Sequence, residues 1–379
     1  MITSISQSPS SNSNAERASE IAHKLALMRG VLSETGAAGI RLRGTDWFSW
    51  ATAGACHTVL LAAETGVAEV FVTAKGAWII TSEIEAQRLR DEEIADGGAY
   101  QISAHPWANA AALEAFVGEM TAGRKVISDR PSAAEDALPH SLFHHKQTLT
   151  LSELERYRQV GRLASEAMTE VLLNAQPTWT EYQLAGAGAA ALWARGLHPA
   201  LTLVAGERRL PLYRHPVPTD EEIGQHAMMV FCARGSGLYA NLTRFVYFGS
   251  LSSKAADLHQ QVRLVEAAVL NASKPGTPLT NLYGTFAQAY EQIGHPQALQ
   301  EHHQGGTTGY LSRETIATPG TTATLAANMA IAWNPSLAGA KIEDTFVILE
   351  DGRLDNLTFD PNWQSTEIEG RLRPLPLER

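Results

Sequence analysis

A helix start near the middle of the chain divides the sequence into two parts. Ser152 and Glu155 have the spacing of a capping box, in which each side chain bonds to the backbone N–H of the other residue. A single hydrophobic core stops growing at roughly 250 to 300 residues, and this chain has 379. We therefore predict two domains, residues 16–148 and 149–379, which follow a disordered, Ser-rich leader of residues 1–15.

The pattern of the first part is typical of a compact α/β domain. Apolar residues recur at helical spacing over residues 16–33, which predicts a helix. Ser82 is the expected N-cap of a second helix, which extends to Glu92 and has acids in its first turn. Runs of β-branched and small residues predict strands at residues 39–42, 58–62, 67–73 and 77–81.

The second part alternates longer helices with buried strands. After the helix that begins at Ser152, Thr180 precedes an acid and is the expected start of the next helix, which ends near Leu192. Two further helices are predicted at residues 253–272 and 282–293. Strands are predicted at residues 201–204, 227–233, 241–248, 329–333 and 344–349.

Charge and composition limit the partners that we expect. The formal net charge is -10 and no run of Lys or Arg occurs, which argues against a nucleic-acid partner. No apolar stretch is long enough to span a bilayer, so no membrane partner is expected. Only Cys56 and Cys232 are present, and the leader lacks the features of a secretory signal. We therefore predict a cytoplasmic protein.

Five segments of the second part follow one another in a specific order: 204–218 with His215, 228–232 with 239–244, 302–310, 331–335 and 340–345. In this order they resemble the segments that build the active site in the creatinase, aminopeptidase P and methionine aminopeptidase superfamily. The first part, at residues 81–89, also resembles the N-terminal domain of these proteins. The resemblance implies an α/β (α+β) protein, with a creatinase-like N-terminal domain followed by a catalytic domain of the pita-bread fold.

Three positions lack the chemistry of a two-metal site in this superfamily. Cys232, Asn241 and Asn334 stand where the resemblance places carboxylates, and only Glu343 and one of His302 and His303 remain as possible metal ligands. Two hard divalent cations held close together need several anionic oxygens, which a thiol and two neutral amides do not supply. We therefore expect no metal and no other cofactor.

Creatinase lacks the same carboxylates and hydrolyses a C–N bond with a histidine, and its catalytic position resembles that of His215 here. The resemblance implies a metal-independent hydrolase of a small molecule with His215 as general acid and base. Glu343 would orient His215 or anchor the substrate, and His303 would complete the catalytic group. Thr243 replaces a glutamate that binds a guanidinium in creatinase, so an amide, a lactam, a urea-like compound or an N-substituted amino acid is expected instead of creatine.

The remaining candidate residues would contact the substrate, and several have a structural alternative. Adjacent residues on a strand point to opposite faces, so only one of His302 and His303 is expected to reach the site. Arg313 and Arg244 suit a substrate carboxylate, although Arg244 equally suits bracing the hairpin. The amides of Asn241 and Asn334 are expected to donate hydrogen bonds, Thr243 and Cys232 to line the site, and Cys232 is more typical of inert packing than of a nucleophile.

Two other functions remain open: a divergent Xaa-Pro-type metallo-aminopeptidase and a catalytically inactive module that binds a peptide or ligand. The resemblance also implies a homodimer, in which the N-terminal domain of one subunit closes the site of the other. Gly305, Gly306 and Gly309 fit either a tight connection or a loop that faces the substrate.

Overall fold

A computed structural model describes residues 14–94 and 98–379. Their contacts divide the chain into two compact units between Glu153 and Leu154, within the first turn of the helix Leu151–Asn174. The predicted leader lies outside the described residues up to residue 13, and a helix begins at Asn14. Among the described residues, no helix combines the length and the apolar composition that crossing a membrane requires.

The first unit contains a mixed six-stranded sheet. Its strands are β1 Gly39–Gly44, β2 Thr65–Thr73, β3 Ala77–Ser82, β4 Gln101–His105, β5 Val126–Ser128 and β6 Glu135–Ala137. Their order in the sheet is β4-β3-β2-β1-β5-β6, and β2 runs antiparallel to both of its neighbours. The helices are α1 Asn14–Thr35, α2 Thr45–Ala51, α3 Ala86–Arg88, α4 Ala110–Thr121 and α5 His140–Gln147, and one π-helical turn spans Leu89–Glu93.

Two predictions for the first unit are wrong. Residues 58–62 form a turn, closed by a hydrogen bond from the Ala63 N–H to the Leu60 carbonyl. The side chains of Val59, Leu60 and Leu61 are exposed, so the apolar run lacks the burial that stabilises a strand. Ser82 does not cap a helix, because it is the last residue of β3 and pairs with His105 of β4. The helix instead begins at Ala86 without a side-chain cap.

The second unit contains a four-stranded and a five-stranded sheet, in which neighbouring strands are antiparallel apart from the parallel pair β19 and β9. Its helices are α6 Leu151–Asn174, α7 Glu181–Trp193, α8 Ser253–Ala272, α9 Leu279–Gln292 and α10 Ala298–Glu301. Its strands are β7 His198–Gly206, β8 His226–Gly235, β9 Leu238–Tyr247, β10 Gly305–Thr308, β11 Thr315–Ile316, β12 Ala330–Trp333, β13 Ser336–Leu337, β14 Ala340–Lys341, β15 Asp344–Ile348, β16 Leu354–Asn356, β17 Ser365–Ile368, β18 Arg371–Pro374 and β19 Leu377–Glu378. One sheet has the order β19-β9-β8-β7 and the other β11-β10-β12-β15-β16.

The two sheets meet where the backbone of Thr243 in β9 bridges that of Glu343, just before β15. Each sheet carries its own apolar core. Residues of α6 and α7 pack with those of β8 and β9, and residues of α8 and α9 pack with those of β12 and β15. The Thr243 N–H donates to the Glu343 carbonyl at 3.0 Å, and this bond fixes the two residues next to each other.

Of the two helix starts predicted from capping residues in the second unit, that of α7 is confirmed and that of α6 is shifted. Thr180 caps α7, as expected, and forms a full capping box with Gln183. The capping box at the start of α6 lies two residues earlier than predicted. The Thr150 N–H donates to the Glu153 carboxylate at 2.7 Å, and the Glu153 N–H donates to the Thr150 hydroxyl at 3.3 Å. The sequence offers two overlapping Ser/Thr-x-x-Glu patterns, and the upstream one is used.

Gly305 and Gly306 lie in a strand at which neighbouring backbone approaches closely. A Cβ at Gly305 would meet the Ala332 carbonyl, and a Cβ at Gly306 would meet the Thr315 carbonyl. Gly305 also has a backbone φ of 97°, a value that residues other than glycine rarely adopt. Of the two roles left open above, the tight connection accounts for both residues.

We predict that Gly306→Ala lowers the free energy of unfolding by about 1 to 3 kcal/mol, because a Cβ there overlaps backbone that cannot rotate away. Gly309→Ala is the matched control, since its Cβ would make an ordinary contact of 3.5 Å with the Glu314 carboxylate. Urea denaturation measures both. Equal stability of the two variants would contradict the close approach at Gly306.

Candidate active site

Three histidines form a cluster next to the junction of the two sheets. His215 lies in the connection between β7 and β8, whereas His302 and His303 lie between α10 and β10. The Nε2 atoms of His215 and His302 are 2.9 Å apart, and the rings of His302 and His303 stack with centroids 4.5 Å apart. The prediction that only one of the adjacent histidines reaches the site is wrong, because neither lies on a strand that would alternate their directions.

One buried carboxylate, that of Glu343, is shared by two cations. Its side chain accepts from the Thr243 hydroxyl at 3.1 Å, lies 3.3 Å from the Lys341 amine and accepts from the Arg313 guanidinium. Burial alone would raise the pKa of Glu343, but Lys341 and Arg313 outweigh it and lower the pKa to about 2. Both carboxylate oxygens are therefore committed to partners within the chain.

The same two cations act on the histidines. Burial, followed by the charge of Lys341, lowers the pKa of His302 to about 3. Burial and Arg313 lower the pKa of His303 to about 4. Partial desolvation and the charge of Lys341 also lower the pKa of His215, although its side chain remains accessible to solvent. All three imidazoles are consequently neutral at pH 7 and able to accept protons.

Two of the candidate residues, Asn241 and Asn334, have buried amide side chains. Asn241 of β9 donates through Nδ2 to the Thr308 hydroxyl at 3.0 Å, and its backbone N–H donates to the Thr345 hydroxyl at 2.8 Å. Asn334 follows β12, and its backbone N–H donates to the Gln304 carbonyl. The Oδ1 atoms of both amides are buried and have no hydrogen-bond partner among the described residues. Asn241 thus offers an acceptor where the sequence had led us to expect a donor.

Cys232 pairs directly with Asn241 across β8 and β9. Burial, reinforced by the nearby carboxylate of Glu343, raises the pKa of the Cys232 thiol to about 12. The thiol stays protonated at pH 7, and a protonated thiol is a poor nucleophile. Inert packing is therefore the role that its chemistry supports.

Arg244 lies on the face of β9 opposite to Thr243. Its guanidinium donates to the Asp344 carboxylate at 2.8 Å and to the Thr358 carbonyl at 3.0 Å. Arg373, which is 1% exposed, pairs with the other oxygen of Asp344 and with both oxygens of Glu266. Arg244 is therefore part of a buried ion network that braces the junction, and its contacts do not support the alternative of binding a substrate.

Lys341 is the site residue that the sequence left without a functional role. Its amine pairs with Glu343, and its charge also acts on His215 and His302. A signal was present, because Lys341 lies in the last of the five segments, two residues before Glu343.

These donors do not fit a centre of two divalent metal ions. The single carboxylate of the group is neutralised by Lys341 and Arg313, and the amides and the thiol add no negative charge at neutral pH. The three imidazoles by themselves have ligand atoms within 4.8 Å of one another, a set suited to one borderline divalent ion such as zinc. Such an ion would lie close to two fixed positive charges.

Comparison with known proteins connects this site to a family of hydrolases. The model of the metallopeptidase family M24 matches residues 155–350. An uncharacterized peptidase of Staphylococcus aureus (strain MW2) is 26% identical over 125 residues, which cover 30% of this chain and 34% of that protein. The chain therefore matches only about a third of the length of this curated relative.

Solved structures match almost the whole chain. The Xaa-Pro dipeptidase of Bacillus anthracis has a TM-score of 0.74 at 16% identity, with 95% of this chain and 100% of that chain covered. The X-Pro aminopeptidase of Thermotoga maritima has a TM-score of 0.73 at 16% identity, with 89% and 98% covered. The N-terminal domain of the FACT complex subunit SPT16 from chickpea has a TM-score of 0.67 at 13% identity, with 92% and 96% covered. The predicted fold, an N-terminal α/β domain followed by a pita-bread domain, is confirmed.

We predict that Glu343→Gln lowers the free energy of unfolding by about 3 kcal/mol at pH 7, because two cations then lack their carboxylate. The folded-state pKa of Glu343 is depressed from 4.5 to about 2, so its contribution is complete above pH 4.5 and is lost as the pH falls towards 2. The stability gap between wild type and variant should narrow over that range. The exposed Glu350→Gln is the control, and a gap that does not change with pH would contradict the pairing.

Proposed function

This chain belongs to the metallopeptidase family M24 and is a hydrolase of that family, and we propose that it cleaves a C–N bond of a small molecule without a metal. The observation that carries the proposal is the charge of the site. Lys341 and Arg313 share the single carboxylate of Glu343, which leaves one surplus positive charge beside three neutral imidazoles. This balance disfavours a pair of divalent cations and favours an anionic group of a substrate.

The surplus charge selects among the substrate classes compatible with the sequence. An N-substituted amino acid carries a carboxylate that can pair with Lys341 and Arg313, whereas a neutral amide or lactam gains nothing from them. Arg313 is suited to this role because its Nε is buried and has no hydrogen-bond partner within residues 14–94 and 98–379. Glu343 would hold both cations in position for the substrate.

His215 would act first as base and then as acid. Its neutral imidazole takes a proton from water, and the resulting hydroxide adds to the electrophilic carbon of the C–N bond. The tetrahedral intermediate then collapses, the C–N bond breaks, and the proton returns from His215 to the leaving nitrogen. Water is therefore the only reactant that the cleavage needs besides the substrate. His303 would contribute a neutral polar wall to the same site.

The buried amides would orient the substrate by accepting hydrogen bonds. In the part of the chain that the structure describes, the Oδ1 atoms of Asn241 and Asn334 lack hydrogen-bond partners, and a buried acceptor without a partner is costly. A substrate N–H would satisfy such an oxygen. This preference for a donor is consistent with an amide or amine substrate.

A metallopeptidase is the second candidate, favoured by the family's description and by the cluster of three imidazoles. The neighbouring dipeptidase and aminopeptidase structures share this fold, although at 16% identity. A binding module without catalysis is the third, and it is compatible with the likeness to a subunit of a chickpea complex. A homodimer and a cytoplasmic location complete our proposal, and sedimentation of the purified protein would test the dimer.

We predict that His215→Gln reduces kcat/KM by about 100-fold or more, the range typical of a lost general acid–base group. In the wild type, kcat/KM should rise with pH through the pKa of His215 in the free enzyme. Since burial and Lys341 lower that pKa, this limb should lie below pH 6.5 and be absent from the variant. Turnover by His215→Gln with an unchanged pH profile would remove His215 from the mechanism.

A panel of N-substituted amino acids, each paired with its carboxamide, tests the substrate class and the metal together. With chelator-treated enzyme we expect hydrolysis of the carboxylates only, and a roughly tenfold or greater rise in KM in Lys341→Met, as expected when a buried charge pair to the substrate is lost. Hydrolysis that requires added Mn²⁺ or Zn²⁺ would favour the metallopeptidase. Binding without hydrolysis of any member would favour the binding module.

A further inference from the structure

The hydrogen bonds of His302 determine which nitrogen of this ring carries its proton. Nδ1 of His302 is hydrogen-bonded to the backbone carbonyl of His303. A carbonyl oxygen can only accept, so Nδ1 must be the donor and must be protonated. Burial and the charge of Lys341 keep His302 neutral, so its Nε2 then holds a lone pair.

The proton of His302 in turn fixes that of His215. The two Nε2 atoms are 2.9 Å apart, a hydrogen-bond distance at which one must donate and the other accept. Since Nε2 of His302 is the acceptor, Nε2 of His215 must carry the proton. A neutral His215 then has its lone pair on Nδ1.

We propose that His302 is a positioning residue that holds His215 in the Nε2-protonated tautomer, so that Nδ1 of His215 is the atom that exchanges protons with the substrate. The catalytic part of this inference rests on the proposed function, whereas the tautomer does not depend on it. When Nδ1 takes up a proton, the Nε2–H of the imidazolium still donates to a neutral acceptor, and such a bond favours the charged donor.

The surroundings of His302 hold it in the orientation that this role requires. The side chain of Gln304 donates to the His302 carbonyl at 2.6 Å and accepts from the Tyr290 hydroxyl at 2.9 Å. Gln304 is 1% exposed and Tyr290 is fully buried. The Gln304 carbonyl also accepts from the Asn334 N–H, so the turn that contains His302 and His303 is fixed from both sides.

The experiment is long-range ¹H–¹⁵N correlation NMR of the full chain with ¹⁵N-labelled histidine at pH 7. The chain has 13 histidines, and the spectrum of His215→Gln identifies the signals of His215. In the wild type we expect His215 to have a protonated Nε2 and an unprotonated Nδ1. A wild-type His215 with its proton on Nδ1 would overturn the inference without the need for any further variant.

Two aromatic variants separate the hydrogen bond from ring packing. His302→Phe removes the acceptor, and the ratio of the two His215 tautomers should shift about fivefold towards Nδ1–H, the factor that one neutral hydrogen bond contributes. His303→Phe keeps a ring against His302 and should leave the ratio unchanged. No shift in His302→Phe, or an equal shift in both variants, would overturn the role of His302.

The NMR result and the proposed function can fail separately. If His215→Gln retains full turnover, then the hydrolytic role of His215 is wrong, whatever its tautomer. If His215→Gln loses turnover but wild-type His215 carries its proton on Nδ1, then His215 is the base as proposed, and the role proposed for His302 is wrong.

Discussion

The pairing of one buried carboxylate with two cations determines the chemistry of the second unit. Glu343 sits where β9 meets β15, and its side chain holds Thr243, Lys341 and Arg313 together. The ion network of Arg244 and Asp344 braces the opposite face of the same junction. The fold therefore brings a carboxylate to the expected place, but the surrounding charges leave it no free oxygen for a metal.

The same charges explain why the three histidines are neutral at pH 7. A buried imidazole beside a cation resists protonation, so His302 and His303 remain neutral well below pH 7. In a two-metal site the negative ligands would act in the opposite direction and favour protonated or metal-bound imidazoles. The uncharged side chains of Cys232, Asn241 and Asn334 and the two cations Lys341 and Arg313 thus act in the same electrostatic direction.

Much of the fold could be predicted from the sequence, because helical periodicity and strong caps such as Thr180 act locally. The exposed run at residues 58–62 failed as a strand because β-propensity depends on a neighbouring strand, which a local pattern does not reveal. The cluster of His215, His302 and His303 was only half predicted, because the backbone direction between α10 and β10 depends on tertiary hydrogen bonds to Gln304. The sequence places Lys341 two residues before Glu343, but its effect on His215 and His302 became apparent only from the structure.

Calorimetric titration of Mn²⁺ and of Zn²⁺ into chelator-dialysed protein tests the central claim most directly, since it measures whether the site retains enough negative charge for two cations. We expect no pair of metal ions to bind in stoichiometric amounts. Tight binding of two ions per chain, lost in Glu343→Gln, would contradict the account.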